Sequence, residues 1–318
     1  MKVVAAIRSF LKYGILTVVL VSTLSLAWLR WDAGRSRDAW FGERQGQIAD
    51  VDTELSVTPF DQLSQSVRLT SSSGLEVSMR VVRNADTNEP RPVIVVLGGH
   101  RTGRDAVDLF GDVGDRAVVG VDYPYNGPEK VKGFLQTVTT IPAARQAFLD
   151  TVPAIQLTLD WLVEQTWVDT ENIILIGASL GAPFASAVAH RDTRISSLIL
   201  VHAAADNRLW AEVQVARRVD TEALHYPVGT IVYWLAYGPI FDTSEHIAKV
   251  APRPVLIIAA RDDERTPADQ AQLLFDAAGE PRRLRYTDGK HVQPNRPGVV
   301  AELLQIANEE MDFLMQQP

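Results

Sequence analysis

The chain contains no cysteine, which excludes disulfides, a thiol nucleophile and thiolate metal sites. It is also short of positive charge: 31 Lys and Arg stand against 39 Asp and Glu, a formal net charge of −8. Six of those cations and one of the anions (Asp32) fall in the first 37 residues, so the remainder carries about −13. A field of that sign repels phosphate backbones and anionic lipid headgroups, so nucleic acid is not expected as a partner. Internal repeats and low-complexity tracts are absent. Hydrophobic residues make up 46% and charged residues 22% of the 318, enough apolar material for a core and no mark of global disorder.

Charge is missing locally as well. Tyr13 to Leu29 is a run of 17 residues with no charged side chain. As a helix it reaches about 25 Å, slightly short of a ~30 Å hydrocarbon core. Trp28 and Trp31 suit an interface, and Arg30 can snorkel out of it. A cleaved signal peptide is the competing reading, with Ser25-Leu26-Ala27 as a small-x-small site. The run is longer than a usual signal core and the site is a poor one, so residues 1–31 are expected to form an uncleaved anchor. Lys and Arg are balanced on its two flanks. Translocating a tail with three cations is the harder event, so the body is expected on the exported side of the cell membrane, periplasmic or extracellular. A second uncharged stretch, Leu224 to Phe241, is interrupted by Pro227, Gly229, Gly238 and Pro239 and cannot be a continuous span.

Residues 32–65 are polar, mixed and without a sustained period, and read as a membrane-proximal linker. From residue 66 to 318 the pattern is that of one domain. "SVRLT", "LEVSMRVVR" and "PVIVVLGGH" are strand-like and separated by turn residues. Helix-like and strand-like stretches then alternate: "GRDAVDLFGDV" and "AVVGVDY", "IPAARQAFLDTVPAIQLTLDWLVEQ" and "NIILIG", "APFASAVAH" and "SSLILVHAA", "PVLIIAA" and "PADQAQLLFDAAG". "VIVVL" and "IILI" are apolar throughout, as befits strands covered on both faces. The pattern predicts an α/β fold with a doubly wound, mostly parallel sheet and an antiparallel start. About 50 residues separate "LILVHAA" from "PVLIIAA", far more than a crossover needs. Their aromatic content predicts a helical cap at about 204–250 over the carboxyl edge of the sheet.

Gly177-Ala178-Ser179-Leu180-Gly181 matches a nucleophile elbow, a sharp strand-to-helix turn that holds a serine clear of the sheet. The flanking glycines are needed because side chains there would collide with the neighbouring strand and helix. A serine hydroxyl needs a base, and the base an orienting acid, in the chain order nucleophile, acid, histidine. "VLIIAARDDERTP" ends a strand with Asp262 and Asp263. "YTDGKHVQP" follows the next strand with His291, the one of six histidines placed after the final strand. Asp263 stands four residues before Pro267, which favours it over Asp262, a surface carboxylate or partner of Arg261. An oxyanion needs two donors. The Leu180 N–H is one, and the loop "VLGGHRTGR" supplies the other, with His100 N–H favoured and Gly99 possible. The His100 side chain, Arg101 and Arg104 are either substrate-facing or solvated. His100 and Asp105 also mimic the H-x4-D spacing of glycerolipid acyltransferases, but the surrounding strand, loop and helix fit the elbow scheme.

Together these residues resemble the α/β-hydrolase superfamily from about Ser66 to the carboxyl terminus. "DWLVEQTWVDTENIILIGASLGAPFASAVA" and "HIAKVAPRPVLIIAARDDERTP" are similar to its dienelactone hydrolase and prolyl-oligopeptidase-like branch. The resemblance implies a Ser179–Asp263–His291 triad and no metal or organic cofactor. Gly98 stands where many members have histidine, "VDYPYNG" replaces the usual tyrosine-arginine-glycine run, and a serine replaces the cysteine nucleophile of typical dienelactone hydrolases. The expected function is a serine hydrolase, a carboxylesterase acting on a small-molecule ester or acyl substrate, with cap aromatics forming an apolar pocket. A prolyl-oligopeptidase-type peptidase, acyl transfer to an alcohol and a non-catalytic binding protein of the same fold are the alternatives. No propeller domain precedes the hydrolase part, which counts against the peptidase. The sequence is silent on oligomeric state.

Overall fold

The computed structural model describes residues 2–85, 89–99, 102–128, 130–267 and 269–315. The chain starts with α1 (Lys2–Gly34), an uninterrupted helix whose stretch Lys12–Gly34 is long and apolar enough to be a membrane span or signal segment. Over its last turn and a half it docks: Leu29, Asp32 and Ala33 are buried in the body.

Residues 32–65 are not a linker. They hold α2 (Asp38–Gln45) and β1 (Ile48–Val57), and run into β2 (Leu63–Ser71). Phe41 of α2 is buried against Phe241. β1 pairs antiparallel with β2 along its whole length, from Ile48↔Ser71 to Val57↔Leu63. Nearly every β1 side chain is exposed. The strand is an edge held by ladder hydrogen bonds and not by burial, so no hydrophobic period marks it in the sequence.

β3 (Glu76–Arg83), β4 (Arg91–Leu97) and β5 (Ala117–Val121) follow, with a short 3-10 helix at Gly103–Leu109 between the last two. Then come α3 (Gly133–Val163), β6 (Val168–Ala178), α4 (Gly181–Arg191) and β7 (Ser197–Val201). α3 begins eight residues ahead of the Ile141 start expected from sequence, and it carries Pro142 and Pro153 inside it. Four helical pieces come next: α5 (Asn207–Ala216), a 3-10 turn at Glu222–Leu224, α6 (His225–Leu235) and α7 (Thr243–Ile247). The chain closes with β8 (Val255–Ala260), α8 (Asp269–Ala277), β9 (Arg282–Thr287), α9 (Pro297–Glu309) and α10 (Met311–Leu314).

The nine described strands form one sheet in the order β1-β2-β3-β5-β4-β6-β7-β8-β9. β1 to β3 join antiparallel, β3 meets β5 antiparallel, and from β5 to β9 every pairing is parallel. Side chains of β4 alternate between two cores: Val93, Val95 and Leu97 face α3 and α4, while Ile94 and Val96 meet Leu303 and Ile306 of α9. Covering both faces explains why these strands read as unbroken apolar runs. The register sets Gly177 between Leu97 of β4 and Leu200 of β7, at the carboxyl edge of the sheet. Open parallel sheets place their ligands at that edge.

Candidate active site

At that edge β6 turns directly into α4. Ser179 has φ +52°, a left-handed conformation that costs a non-glycine residue about 1–3 kcal/mol. Two hydrogen bonds hold it there: its N–H donates to Val201 O at 2.8 Å, and its carbonyl accepts from Ala182 N–H at 3.1 Å. The neighbouring glycines are sterically fixed. A Cβ on Gly181 would lie 2.1 Å from Leu97 O, and one on Gly177 would lie 2.5 Å from the Ala185 Cβ. The tight turn is what turns the Ser179 hydroxyl out of the sheet.

The structure brings His291 and Asp263 to that hydroxyl. His291 Nε2 is 2.8 Å from Ser179 Oγ, and His291 Nδ1 is 2.8 and 3.0 Å from the two carboxylate oxygens of Asp263. An ionised carboxylate can only accept, so Nδ1 carries the hydrogen and Nε2 is left as acceptor for the serine hydroxyl. Burial acts to raise the Asp263 carboxyl. Its hydrogen bonds from His291 and from the N–H groups of Arg265 and Thr266, both at 2.8 Å, outweigh burial and hold it below its ordinary value. Asp262 is exposed and lies outside this arrangement, while Arg261 pairs with Asp288 at 3.3 Å.

Sequence reasoning missed two members of the site. Glu264 accepts the backbone N–H of His291 at 2.9 Å and pairs with Arg296 at 2.9 Å. Burial opposes its ionisation, but the His291 N–H and the Arg296 guanidinium bring it down to about 2. His202 directly follows β7 with φ +50°, fully buried, its ring 5.4 Å from that of His291. The one available signal was a histidine at the end of an otherwise apolar strand, in "LILVHAA". His202, Asp263 and His291 lie close enough together to hold a cation. Their donor atoms are already engaged, however: His202 Nδ1 accepts the Val292 N–H at 2.8 Å, and Asp263 is saturated as above.

The loop after β4 comes up against the serine, since a Cβ on Gly99 would be 3.7 Å from the Ser179 Cβ. Tyr123 donates its hydroxyl to Gly98 O at 2.7 Å and fixes the loop's start. His100 and Arg101 lie outside the described residues. Arg104 is tied to Asp122, whose carboxylate accepts its N–H at 2.8 Å, and Asp105 pairs with Arg80 at 3.2 Å. Leu180 directly precedes α4, so its N–H lies at the positive end of that helix. A pocket of about 60 Å³ opens beside Ser179, walled by Leu180, Phe148, Phe184, Trp210, Val232, Tyr233 and Phe241. It is almost wholly apolar, and its cap wall comes from α5 and α6.

The sheet order, the elbow at its carboxyl edge and the positions of the three polar side chains can be set beside known proteins. A model of the prolyl oligopeptidase family matches residues 148–295. The chain has the α/β-hydrolase fold. Among solved structures with this hydrolase fold, acetyl xylan esterase from Paenibacillus sp. R4 superposes with a TM-score of 0.60 at 16% identity, covering 88% of this chain and 99% of that one. Acetyl xylan esterase 1 from Thermoanaerobacterium sp. JW/SL YS485 gives 0.55 at 16% identity, over 88% and 98%. An esterase from Pyrococcus furiosus gives 0.56 at 16% identity, over 82% and 97%. No curated protein matches the sequence of this hydrolase-fold chain significantly.

Proposed function

We propose that this hydrolase is a serine carboxylesterase held at a membrane by α1, with its body on the exported side. Ser179 attacks the acyl carbon while His291 Nε2 takes the hydroxyl proton, and Asp263 holds the imidazolium that forms. The oxyanion is met by the N–H of Leu180 and by one from the loop at residues 99–100, His100 in the preferred reading, each worth about 3 kcal/mol in comparable sites. His291 returns the proton to the departing alkoxide. Water, deprotonated by the same ring, then releases the acid and restores Ser179.

The observation that carries this reading is the unbroken line from Ser179 Oγ through His291 to Asp263, 2.8 Å at each step. It is set on a strained turn that faces an apolar pocket. The pocket is small and its walls are almost wholly apolar, which suits a short acyl group. Labelling of the intact protein with a fluorophosphonate tests it. One adduct, lost in Ser179→Ala, is expected. An adduct that survives that substitution, or none on the intact protein, sinks the esterase and leaves a binding protein of the same fold. The family match over 148–295 favours a second reading, a peptidase. p-Nitrophenyl acetate and butyrate, run beside aminoacyl anilides, separate the two by which substrate class gives the higher kcat/KM.

A further inference from the structure

We infer that the cap of the active-site pocket lies directly on the lipid bilayer, through α6, the turn leading into it and the first turns of α3. The inference rests on the reading of α1 as a membrane span.

There is no spacer between span and body. Leu29 is the last residue of the charge-free run and also, among the described residues, the first of α1 buried by the body. Asp32 follows three residues later, about 4.5 Å along the helix. The headgroup layer on each side of a bilayer is about 5–7 Å deep. Asp32 therefore sits at headgroup depth when Leu29 sits at the edge of the hydrocarbon.

Asp32 is fastened to the cap. One carboxylate oxygen takes Arg37 Nη2 at 2.6 Å, and the other takes Arg145 Nη2 at 2.6 Å. Arg145 also donates to the carbonyls of Trp234 and Leu235, at 3.2 and 3.0 Å, and so caps the carboxyl end of α6. Its guanidinium lies 4.0 Å from the centre of the Tyr237 ring. α6 also packs against α1 itself. Val232 and Tyr233 of α6, and Ala236 just after it, line the pocket beside Ser179. α6 thus touches both α1 and the pocket.

The elements joined at Arg145 expose apolar side chains that the body does not cover. Leu224 is 46% and Tyr226 60% exposed, at the start of α6, and Leu135 on the first turn of α3 is 76% exposed. The exposed Lys130 and Lys132 precede α3 and suit anionic headgroups. Large exposed apolar residues on elements fastened to a span have lipid as their natural cover.

The absence of cysteine allows single-site labelling. Leu224→Cys, Tyr226→Cys, Leu135→Cys and, as a control on α8, Leu273→Cys are each labelled with bimane in the full chain. The labelled chains are reconstituted in phosphatidylcholine–phosphatidylglycerol vesicles with and without brominated acyl chains. Labels at 224, 226 and 135 are expected to lose emission in the brominated vesicles, and the label at 273 to keep it. Retention of emission at all four sites, in vesicles that hold the chain, overturns the inference. A label at 226 that responds to protein density but not to bromine marks a second copy of the chain there and overturns it equally. Failure of the chain to stay with the vesicles removes the span and the inference together. Turnover of p-nitrophenyl acetate by the same samples reports on the Ser179 reading independently of these results.

Discussion

His202 Nδ1 accepts a hydrogen bond from the backbone N–H of Val292, 2.8 Å away and one residue beyond His291. Burial brings the His202 ring down to about 4, so it is neutral and able to accept. Its Nε2 then carries the hydrogen toward Thr287 Oγ1 at 3.3 Å, while the Thr287 hydroxyl donates to Ala259 O at 3.3 Å. The ring thus holds in place the loop that carries His291. His202→Leu leaves a buried N–H without a partner, at a cost of about 1–3 kcal/mol, and puts a poorly suited residue at positive φ. We expect kcat on p-nitrophenyl esters to fall about tenfold or more, with KM nearly unchanged. Asn offers an oxygen where Nδ1 stood and tolerates this backbone, so His202→Asn is expected to recover most of kcat. An unchanged kcat in the leucine variant removes His202 from the site.

Two buried histidines predict acid sensitivity. His202 and His246 are each brought down from 6.5 to about 4 by burial. Between those values the unfolded chain binds more protons than the folded one, so stability falls as pH drops through that window and is level above it. The ceiling for each is about 3 kcal/mol, at about 1.4 kcal/mol per pH unit. Glu264, brought down to about 2, adds stability that is full above about 4.5 and lost toward 2, which pushes the same way. Urea midpoints measured at about pH 7.5 and about pH 5 should differ, with the lower value in acid. Equal midpoints contradict the buried neutral state of both rings.

The two neighbouring carboxylates give a sharper test. Asp263 holds the Nδ1 hydrogen of His291, while Asp262 faces solvent. Asp263→Asn offers an amide that can turn the imidazole to the wrong tautomer, and a loss of about 10⁴ in kcat is expected by analogy with other serine triads. Asp262→Asn should stay near the parent value. Comparable losses in both, read from single-turnover acylation, reject Asp263 as the orienting acid.

The elements that could be read from sequence were those whose physics is local. Unbroken apolar runs such as "VIVVL" and "IILI" mark strands covered on both faces, and Gly177-Ala178-Ser179-Leu180-Gly181 marks a turn that only small residues allow. The order Ser179, Asp263, His291 follows from where strands end. β1 escaped because ladder bonding to β2 leaves no hydrophobic imprint, and Phe41 of α2 is a single buried residue in a polar helix. His202 and Arg145 escaped for a different reason. Their partners, Val292 and Asp32, are 90 and 113 residues away, and only the folded sheet and cap bring them together.

Gly181→Ala tests the elbow without touching a reacting group. The added Cβ would meet the carbonyl oxygen of Leu97 at 2.1 Å, and that atom is backbone of a central strand that cannot swing aside cheaply. Overpacking of this kind costs about 1–3 kcal/mol or more. The relief available is a shift of the turn that carries Ser179. Fluorophosphonate labelling should therefore slow more than thermal stability falls. A variant that labels at the parent rate shows that the turn has room the geometry denies.

Asp32 offers the last test, at the joint between α1 and the body. Its carboxylate is almost buried and sits between Arg37 and Arg145, whose side chains are 8% and 13% exposed. Asp32→Ala leaves both guanidiniums facing each other in a poorly hydrated space, and breaking a buried pair in this way costs about 3–5 kcal/mol. The pairing itself is worth less than that, because desolvating three charges offsets much of their attraction. Arg37→Met added to Asp32→Ala should therefore recover part of the loss, by removing one orphaned charge and keeping an apolar stem over Tyr237. Arg145 then keeps the carbonyls of Trp234 and Leu235 as partners. Denaturant midpoints of the two single variants and the double, taken as a cycle in detergent, measure this coupling. Strict additivity, or a double variant less stable than Asp32→Ala alone, shows that the joint is not held by this charge arrangement.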